Sequence, residues 1–331
     1  MLLRLLLAVF VSTALFFYHA QKCLNTPFDL AADTVFIIPQ QTPLRIIAQN
    51  LEKENILKTP RLFLGWIFLK GLQNQIKAGE YAISASMTPI TLIEAFCAGK
   101  VIQHALTIVP GWTFERLRFA LDQDPYLSHQ TRGLSDQALM ESLSHPSVHP
   151  EARFFADTYY FPLGTSDLAF LKRAYDRMDQ QLKTLWEKRS LNYPLSSIHE
   201  VLIVASIVEK ESAFDHEYRD IAGVYLRRLM IKMPLQADPT VLYGLGPDWK
   251  GPLTHAGIAK QTPYNTYKNQ GLPPTPIAIP SQKALEATLD PKPGDALYFV
   301  SAPDRKRHVF SKNLEEHLRA VKRYRQSISK G

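Results

Sequence analysis

Residues Ile203–Ser212 read IVASIVEKES. A run that belongs in a core ends at once in Glu209-Lys210-Glu211. A solvent-facing helix would spread those charges along one side. Upstream, IHEVL extends the run, and Val201, Val204, Ala205 and Val208 fall at i, i+3, i+4 and i+7, the stripe of an amphipathic helix. On that wheel Glu211 lies beyond Val204 and Val208 on one flank. Glu209 lies beyond Leu202 and Ala205 on the other, and Lys210 points away. Periodicity does not choose between the two acids. It does place either at the edge of a buried face, where lost solvation raises a carboxyl pKa toward the value a general acid needs at neutral pH. The competing reading is a helix end dissolving into solvent, with no chemistry in its charges.

The chain around this helix is 331 residues long, enough for two or three domains. It is 46% hydrophobic and 21% charged, a globular composition without a low-complexity tract. Its formal charge of +7 suits an anionic polymer or a membrane surface. Nucleic acid is not an expected partner, because no basic cluster is interleaved with aromatics and no zinc-finger spacing occurs. The two cysteines, Cys23 and Cys97, lack neighbours at metal-ligand spacing. The histidines at 145 and 149 sit in a Pro/Ser-rich loop without an adjacent acid pair and read as solvated. No metal and no cofactor are expected.

The N-terminus reads MLLRLLLAVFVSTALFFYHAQK. Counted from Leu2 to Ala20, with Arg4 snorkelling, it makes a helix of about 28 Å, enough to span a bilayer. Bulky Tyr18 two residues before Ala20 makes a poor signal-peptidase site. The expectation is an uncleaved single-pass anchor over residues 1–20, in a cell inner membrane, with the N-terminus cytoplasmic and the rest periplasmic. Residues 21–33 read as a tether.

From 34 to 108 the pattern is a small α+β module: VFII and AGEYAIS as strands, with Thr42-Pro43, Thr59-Pro60 and Thr88-Pro89 each opening a helix by the cap-then-proline rule. Residues 109–195 read as mainly helical. From 196 to 331 helices alternate with Pro- and Gly-rich loops, and ALYFVS and RHVFS suggest a hairpin. The fold class is therefore α+β: an N-terminal transmembrane helix, the small module, and a mixed α+β catalytic domain.

Four segments in order, IVASIVEKES, LRRLMIKMPLQADPTVLYG, YNTYKNQGLPPTPIAIP and LYFV, resemble the MltG (YceG-like) family of membrane-anchored endolytic murein transglycosylases. The likeness runs from the N-terminal helix to the last one. It implies a LysM-like module at 34–108 and a catalytic acid directly before a Thr or Ser, here Glu211 before Ser212. The implied partners are peptidoglycan glycan strands and the penicillin-binding synthases that make them. The sequence departs from the family pattern at Ala237, where Thr is usual, at Thr275 and Ser281, where Gly is usual, and at Ala156, where Pro is frequent.

The implied reaction is cleavage between MurNAc and GlcNAc, with closure of a 1,6-anhydro ring in place of hydrolysis. An ordinary glycosidase needs two carboxylates, whereas this chemistry can use one, as acid and then as base. Glu209, two positions from Glu211, points to another face and is not a partner for it. Gln236, Asp238, Tyr264 and Asn265 are the candidate sugar contacts, although Asp238 could instead cap a helix and Asn265 a turn. GLPPTPI reads as a rigid groove wall. The alternatives are a non-catalytic wall-binding scaffold and a two-carboxylate hydrolytic muramidase.

Overall fold

The computed structural model describes residues 2–190, 193–212 and 214–328, without the side chains of Leu2, Leu3, Leu5 and Ala8. The chain divides into two compact units. One comprises residues 1–105 and 160–165, the other residues 106–159 and 166–331.

The smaller unit begins with α1 (Leu2–Asn25) and continues with β1 (Thr34–Ile38), α2 (Leu44–Lys53), α3 (Pro60–Leu69), β2 (Gly79–Ile83) and α4 (Pro89–Ala98). Strands β1 and β2 pair antiparallel, with Thr34 opposite Ile83 and Ile38 opposite Gly79. Their inward residues Phe36, Ile38, Tyr81 and Ile83 meet Leu51, Phe63, Ile67 and Phe96 from the helices, all buried. Tyr81 packs edge-on to Phe96 at 4.6 Å and donates its hydroxyl hydrogen to the Lys77 carbonyl at 2.8 Å, so the ring is buried while its polar end is satisfied.

Of the three Thr-Pro starts, only Thr88 closes a capping box, with Thr91. Thr59 caps without a side-chain bond. The expectation at Thr42 is corrected: Pro43 is itself the N-cap, and the Thr42 hydroxyl turns back to the Pro39 carbonyl at 2.8 Å. Helix α1 runs five residues beyond the expected limit at Ala20. Among the described residues no helix is long and apolar enough to cross a membrane. The expected span rests in part on Leu2, Leu3, Leu5 and Ala8, whose side chains lie outside the described residues.

Short strand β3 (His104–Thr107) leads toward the larger unit, which carries α5 (Phe114–Gln123), β4 (Leu127–Ser128) and α6 (Asp136–Ser142). After β5 (Thr158–Phe161) and β6 (Thr165–Ser166) come α7 (Asp167–Glu187), α8 (Ile198–Glu211), α9 (Tyr218–Met230), α10 (Asp238–Leu245), α11 (His255–Ala259) and α12 (Gln282–Leu289). The chain closes with β7 (Tyr298–Ser301), β8 (His308–Ser311) and α13 (Leu314–Ile328). The expected hairpin is present, with Tyr298 opposite Ser311 and Ser301 opposite His308. Buried Glu217 fixes it, accepting from the His308 amide at 2.6 Å and pairing with its Nδ1 at 2.5 Å.

Helix α8 is the axis of this unit. Ser197 caps it by accepting from the Glu200 amide at 3.2 Å, and Glu200 answers by accepting from the Ser196 amide at 2.6 Å. Every residue from Val201 to Val208 is buried, so the helix is covered all round rather than along one stripe. Helices α9, α10 and α12 pack against it. Within the core, the hydroxyl of Ser206 donates to the Ile203 carbonyl at 2.7 Å and accepts from the Ile277 amide at 3.0 Å. That second bond lays the proline loop along the helix. Pro276 and Ile277, the end of the expected groove wall, are buried together with the following residues 278–280, so this end is an internal strut.

Candidate active site

The last turn of α8 brings Glu209 and Glu211 out of the core in different directions. Glu209 turns to α12, where its Oε2 accepts from the Ser281 amide at 2.9 Å and from the Ser281 hydroxyl at 2.6 Å. It is a structural tie. Ser281 also caps α12. Glu211 opens into a concavity of about 430 Å³ that also exposes Gln236, Asp238 and Tyr267. A larger hollow of about 620 Å³ beside Arg189 and Lys283 contains none of the expected site residues.

Burial pushes the Glu211 carboxyl up to about 7, and the nearby Asp238 carboxylate adds to the rise. A hydrogen bond from the Tyr225 hydroxyl and the positive charge of Arg228 oppose it. Glu211 is thus protonated over much of the range below neutrality, and its proton is transferable near pH 7. Tyr225 is itself held well above its ordinary range by burial and by Glu211, so it stays a donor.

Arg228 is 7% exposed and is held in place by backbone carbonyls and a ring. Its Nε donates to the Leu297 carbonyl at 2.7 Å, its Nη1 to the Leu235 carbonyl at 2.7 Å, and its guanidinium stands 5.1 Å from the centre of the Tyr298 ring. The cation therefore ties the loop before α10 to the hairpin. His317, from α13, stacks on the same Tyr298 ring at 5.1 Å. Its Nδ1 is buried without a hydrogen-bond partner, and burial together with Arg228 holds the imidazole toward its neutral form.

Asp238 is the first residue of α10. Ala237 is the N-cap and makes no side-chain bond, so the capping alternative for Asp238 does not hold. The Asp238 carboxylate accepts from the Tyr267 hydroxyl at 2.6 Å. Gln236 is exposed and sits in the left-handed region at φ 50, a conformation that costs a non-glycine residue about 1–2 kcal/mol. The surrounding loop sustains it: the Gln236 amide donates to the Thr266 carbonyl at 3.2 Å, and the Ala237 amide to the Thr266 hydroxyl at 2.9 Å.

Gln236 and Asp238 thus share the concavity of Glu211, and the other two candidates do not. Asn265 is fully buried. Its Nδ2 donates to the carbonyls of Ile258 and Lys260 at 2.9 and 2.6 Å, and its Oδ1 accepts from the Tyr267 amide at 3.0 Å. It shapes the turn that presents Tyr267, as its turn-capping alternative anticipated. Tyr264 packs against Tyr243 at 4.9 Å and bonds the Thr275 hydroxyl at 2.8 Å. Ser212 does not touch the acid: its hydroxyl donates to the Phe214 carbonyl at 3.0 Å. Tyr225, Arg228, Tyr267 and His317 were missed in the sequence. Only Tyr225 and Arg228 left a trace, as a polar pair at i and i+3 on a helix with an apolar face.

The model of the YceG-like family matches residues 36–323. The chain belongs to that family. An endolytic murein transglycosylase of Bacillus subtilis (strain 168) is 29% identical over 304 residues, covering 87% of this chain and 83% of the relative. Another of that description, from Streptococcus pneumoniae (strain R6), is 29% identical over 317 residues, and the match spans 86% of this chain but 57% of the longer relative. A crystallised YceG-like protein from Listeria monocytogenes superposes with a TM-score of 0.56 at 27% identity, covering 88% of this chain and 99% of that one. Two positions where the sequence resemblance implied glycine carry hydroxyls that are in use here. The hydroxyl of Ser281 binds Glu209, and that of Thr275 binds Tyr264.

Proposed function

We propose that this YceG-like protein is a lytic murein transglycosylase that cuts glycan strands internally and leaves 1,6-anhydro-MurNAc ends. The observation that carries the reading is Glu211: a half-buried carboxyl, pushed up to about 7, at the edge of an open concavity. In the first step its proton goes to the glycosidic oxygen as the bond from C1 to that oxygen breaks. The substrate's acetamido group stabilises the sugar cation. The carboxylate then takes the proton of the 6-hydroxyl as O6 closes on C1, and Glu211 is restored without water. Gln236 and Tyr267 are placed to contact sugar hydroxyls, with Asp238 beside them. Internal cleavage of nascent strands would end their elongation.

Asp238 is also the observation that favours a second reading, a hydrolytic muramidase with two carboxylates. Mass spectrometry of glycan ends after digestion of purified peptidoglycan separates the two. Anhydro ends support the lyase, and reducing ends the hydrolase. Asp238→Asn gives a further expectation. Removing its charge lowers the Glu211 pKa, so the alkaline limb of the kcat/KM profile moves to lower pH. An unchanged limb in a folded variant would count against Asp238 as a neighbour of the acid in solution.

Anchoring and glycan holding belong to the same proposal. Leu6, Phe10, Leu15 and Phe16 of α1 are exposed, and Leu5–Tyr18 carries no charge, which supports retention of this helix in a membrane facing the periplasm. The protein is then expected in the membrane fraction, released by detergent and not by salt. A mature chain beginning near Gln21 and soluble without detergent would overturn this. The strand–helix–helix–strand order of β1, α2, α3 and β2 supports a LysM-like role in holding glycan.

A further inference from the structure

The larger unit also buries a carboxyl that the chemistry above does not use and that faces a concavity of its own. Glu151 lies between α6 and β5 and is 3% exposed. Its Oε1 accepts from the Phe114 amide at 2.9 Å, at the start of α5, and its Oε2 from the Tyr243 hydroxyl at 3.0 Å, on α10. A third donor is the amide of Ala152. Ala152 is fully buried and held in the left-handed region at φ 63, a conformation that persists in a Cβ-bearing residue only where its surroundings over-determine it. The Glu151 amide in turn donates to Nδ1 of His149 at 3.2 Å. Arg118, Asp136 and His149 line the concavity of about 570 Å³ beside it, with Glu115 and Asp122 at its rim on α5. Burial, and to a smaller extent Asp136, hold the Glu151 carboxyl up to about 7 against its three donors.

Tyr243 and Asp238 sit on the same short helix, α10. Its side-chain ties to other segments include the Tyr267 hydroxyl on Asp238 at 2.6 Å, the Thr240 hydroxyl on that of Thr266 at 2.8 Å, and the Tyr243 hydroxyl on Glu151 at 3.0 Å. One end of α10 is thus tied to Glu151, while the other presents a charge to Glu211.

We propose that Glu151 is a positioning residue for the cleavage reaction: through the Tyr243 hydroxyl it sets the seat of α10, and so the placement of Asp238 beside Glu211. The inference rests on the reading of Glu211 as the acid. A displacement of about 1 Å in such a neighbour is enough to cost up to about 100-fold in rate when geometry is what the enzyme supplies. Loosening the clamp has a signature that general destabilisation lacks. If Asp238 withdraws, Glu211 loses the like charge that helps keep its proton, and the alkaline limb of activity moves to lower pH, as in Asp238→Asn.

The test uses the full chain in detergent with purified peptidoglycan, and the variants Glu151→Gln, Tyr243→Phe, and each combined with Asp238→Asn. Expected for either single variant are a fall in kcat of about 3- to 100-fold with KM within about twofold, and an alkaline limb shifted toward lower pH. In the Asp238→Asn background the same changes should move the limb no further. Tyr243→Phe keeps the ring and its packing on Tyr264, so it remains informative if Glu151→Gln fails to fold. A folded Tyr243→Phe whose kcat and limb match the unaltered protein overturns the proposal, as does a limb shift of equal size in the Asp238→Asn background. Activity retained by Glu211→Gln would instead overturn the reading of the acid on which all this depends.

Discussion

Glu211→Gln should fold and fail to make anhydro ends. The substitution keeps size and polarity and removes the transferable proton, and general acid–base catalysis by one group is worth roughly 10²–10⁴-fold. In the proposed mechanism the same carboxyl serves both half-reactions, so the loss should lie at the upper end of that range or beyond. Glu209→Gln is the matched control. Its carboxylate ties Ser281 to the end of α8, so the expected cost is stability of about 1 kcal/mol, from weakening bonds of 2.9 and 2.6 Å, with turnover of the folded fraction preserved. Release of anhydro-muropeptides at equal folded concentration checks both. If Glu209→Gln were inactive and Glu211→Gln active, the wrong carboxyl would have been chosen. If both remained active, Asp238 would be the next to replace.

The second large effect is on stability. Glu211 and Glu151 both have carboxyl pKa values near 7 in the folded protein, against an ordinary value of 4.5. Between those values the native state binds more protons than the unfolded chain. The carboxyls' contribution to stability therefore falls as pH rises from about 4.5 to about 7 and levels off above. Each displacement corresponds to about 3 kcal/mol, and two such terms are large beside a net stability of about 5–15 kcal/mol. Urea denaturation followed at pH 5 and pH 8 should show the larger unit distinctly weaker at the higher pH. Glu151→Gln and Glu211→Gln should each flatten part of that dependence, because neither amide titrates. His149 and His317, held toward their neutral forms, act in the opposite sense in the same window, so a pH dependence that neither amide flattens would mean that the two carboxyls ionise as they do in water.

Much of this was legible in the sequence because helix periodicity and capping are local. The span of α8, the β7–β8 hairpin and the strand pair of the small unit follow from spacing and turn residues alone. The choice between Glu209 and Glu211 does not. Both lie on flanks of the same helix, and what separates them is Ser281, seventy-two positions away, whose amide and hydroxyl claim Glu209. Tyr267 and His317 were unreadable for the same reason, and the i, i+3 trace of Tyr225 and Arg228 did not reveal their roles, since each acquires its role from packing between distant elements. Asn265 lies buried in its own loop and away from the concavity, which its sequence could not show, because a polar loop residue looks the same whether it faces solvent or closes the loop on itself. Thr42 misled because proline at the next position fits an N-cap as well as a first helical turn.

The enclosure of α8 on every side also bears on how such an acid can change over evolutionary time. Amides from Val204 to Val208 should be among the last to exchange with deuterium, opening only when the whole unit unfolds. A backbone that opens so rarely gives the acid no private adjustment. Substitutions within the helix are felt first as loss of folded protein, and faster or slower chemistry has to be found across the concavity, in the loop at Gln236 and Tyr267 and in the cation at Arg228. Variation among active relatives is therefore expected to gather on that opposite wall.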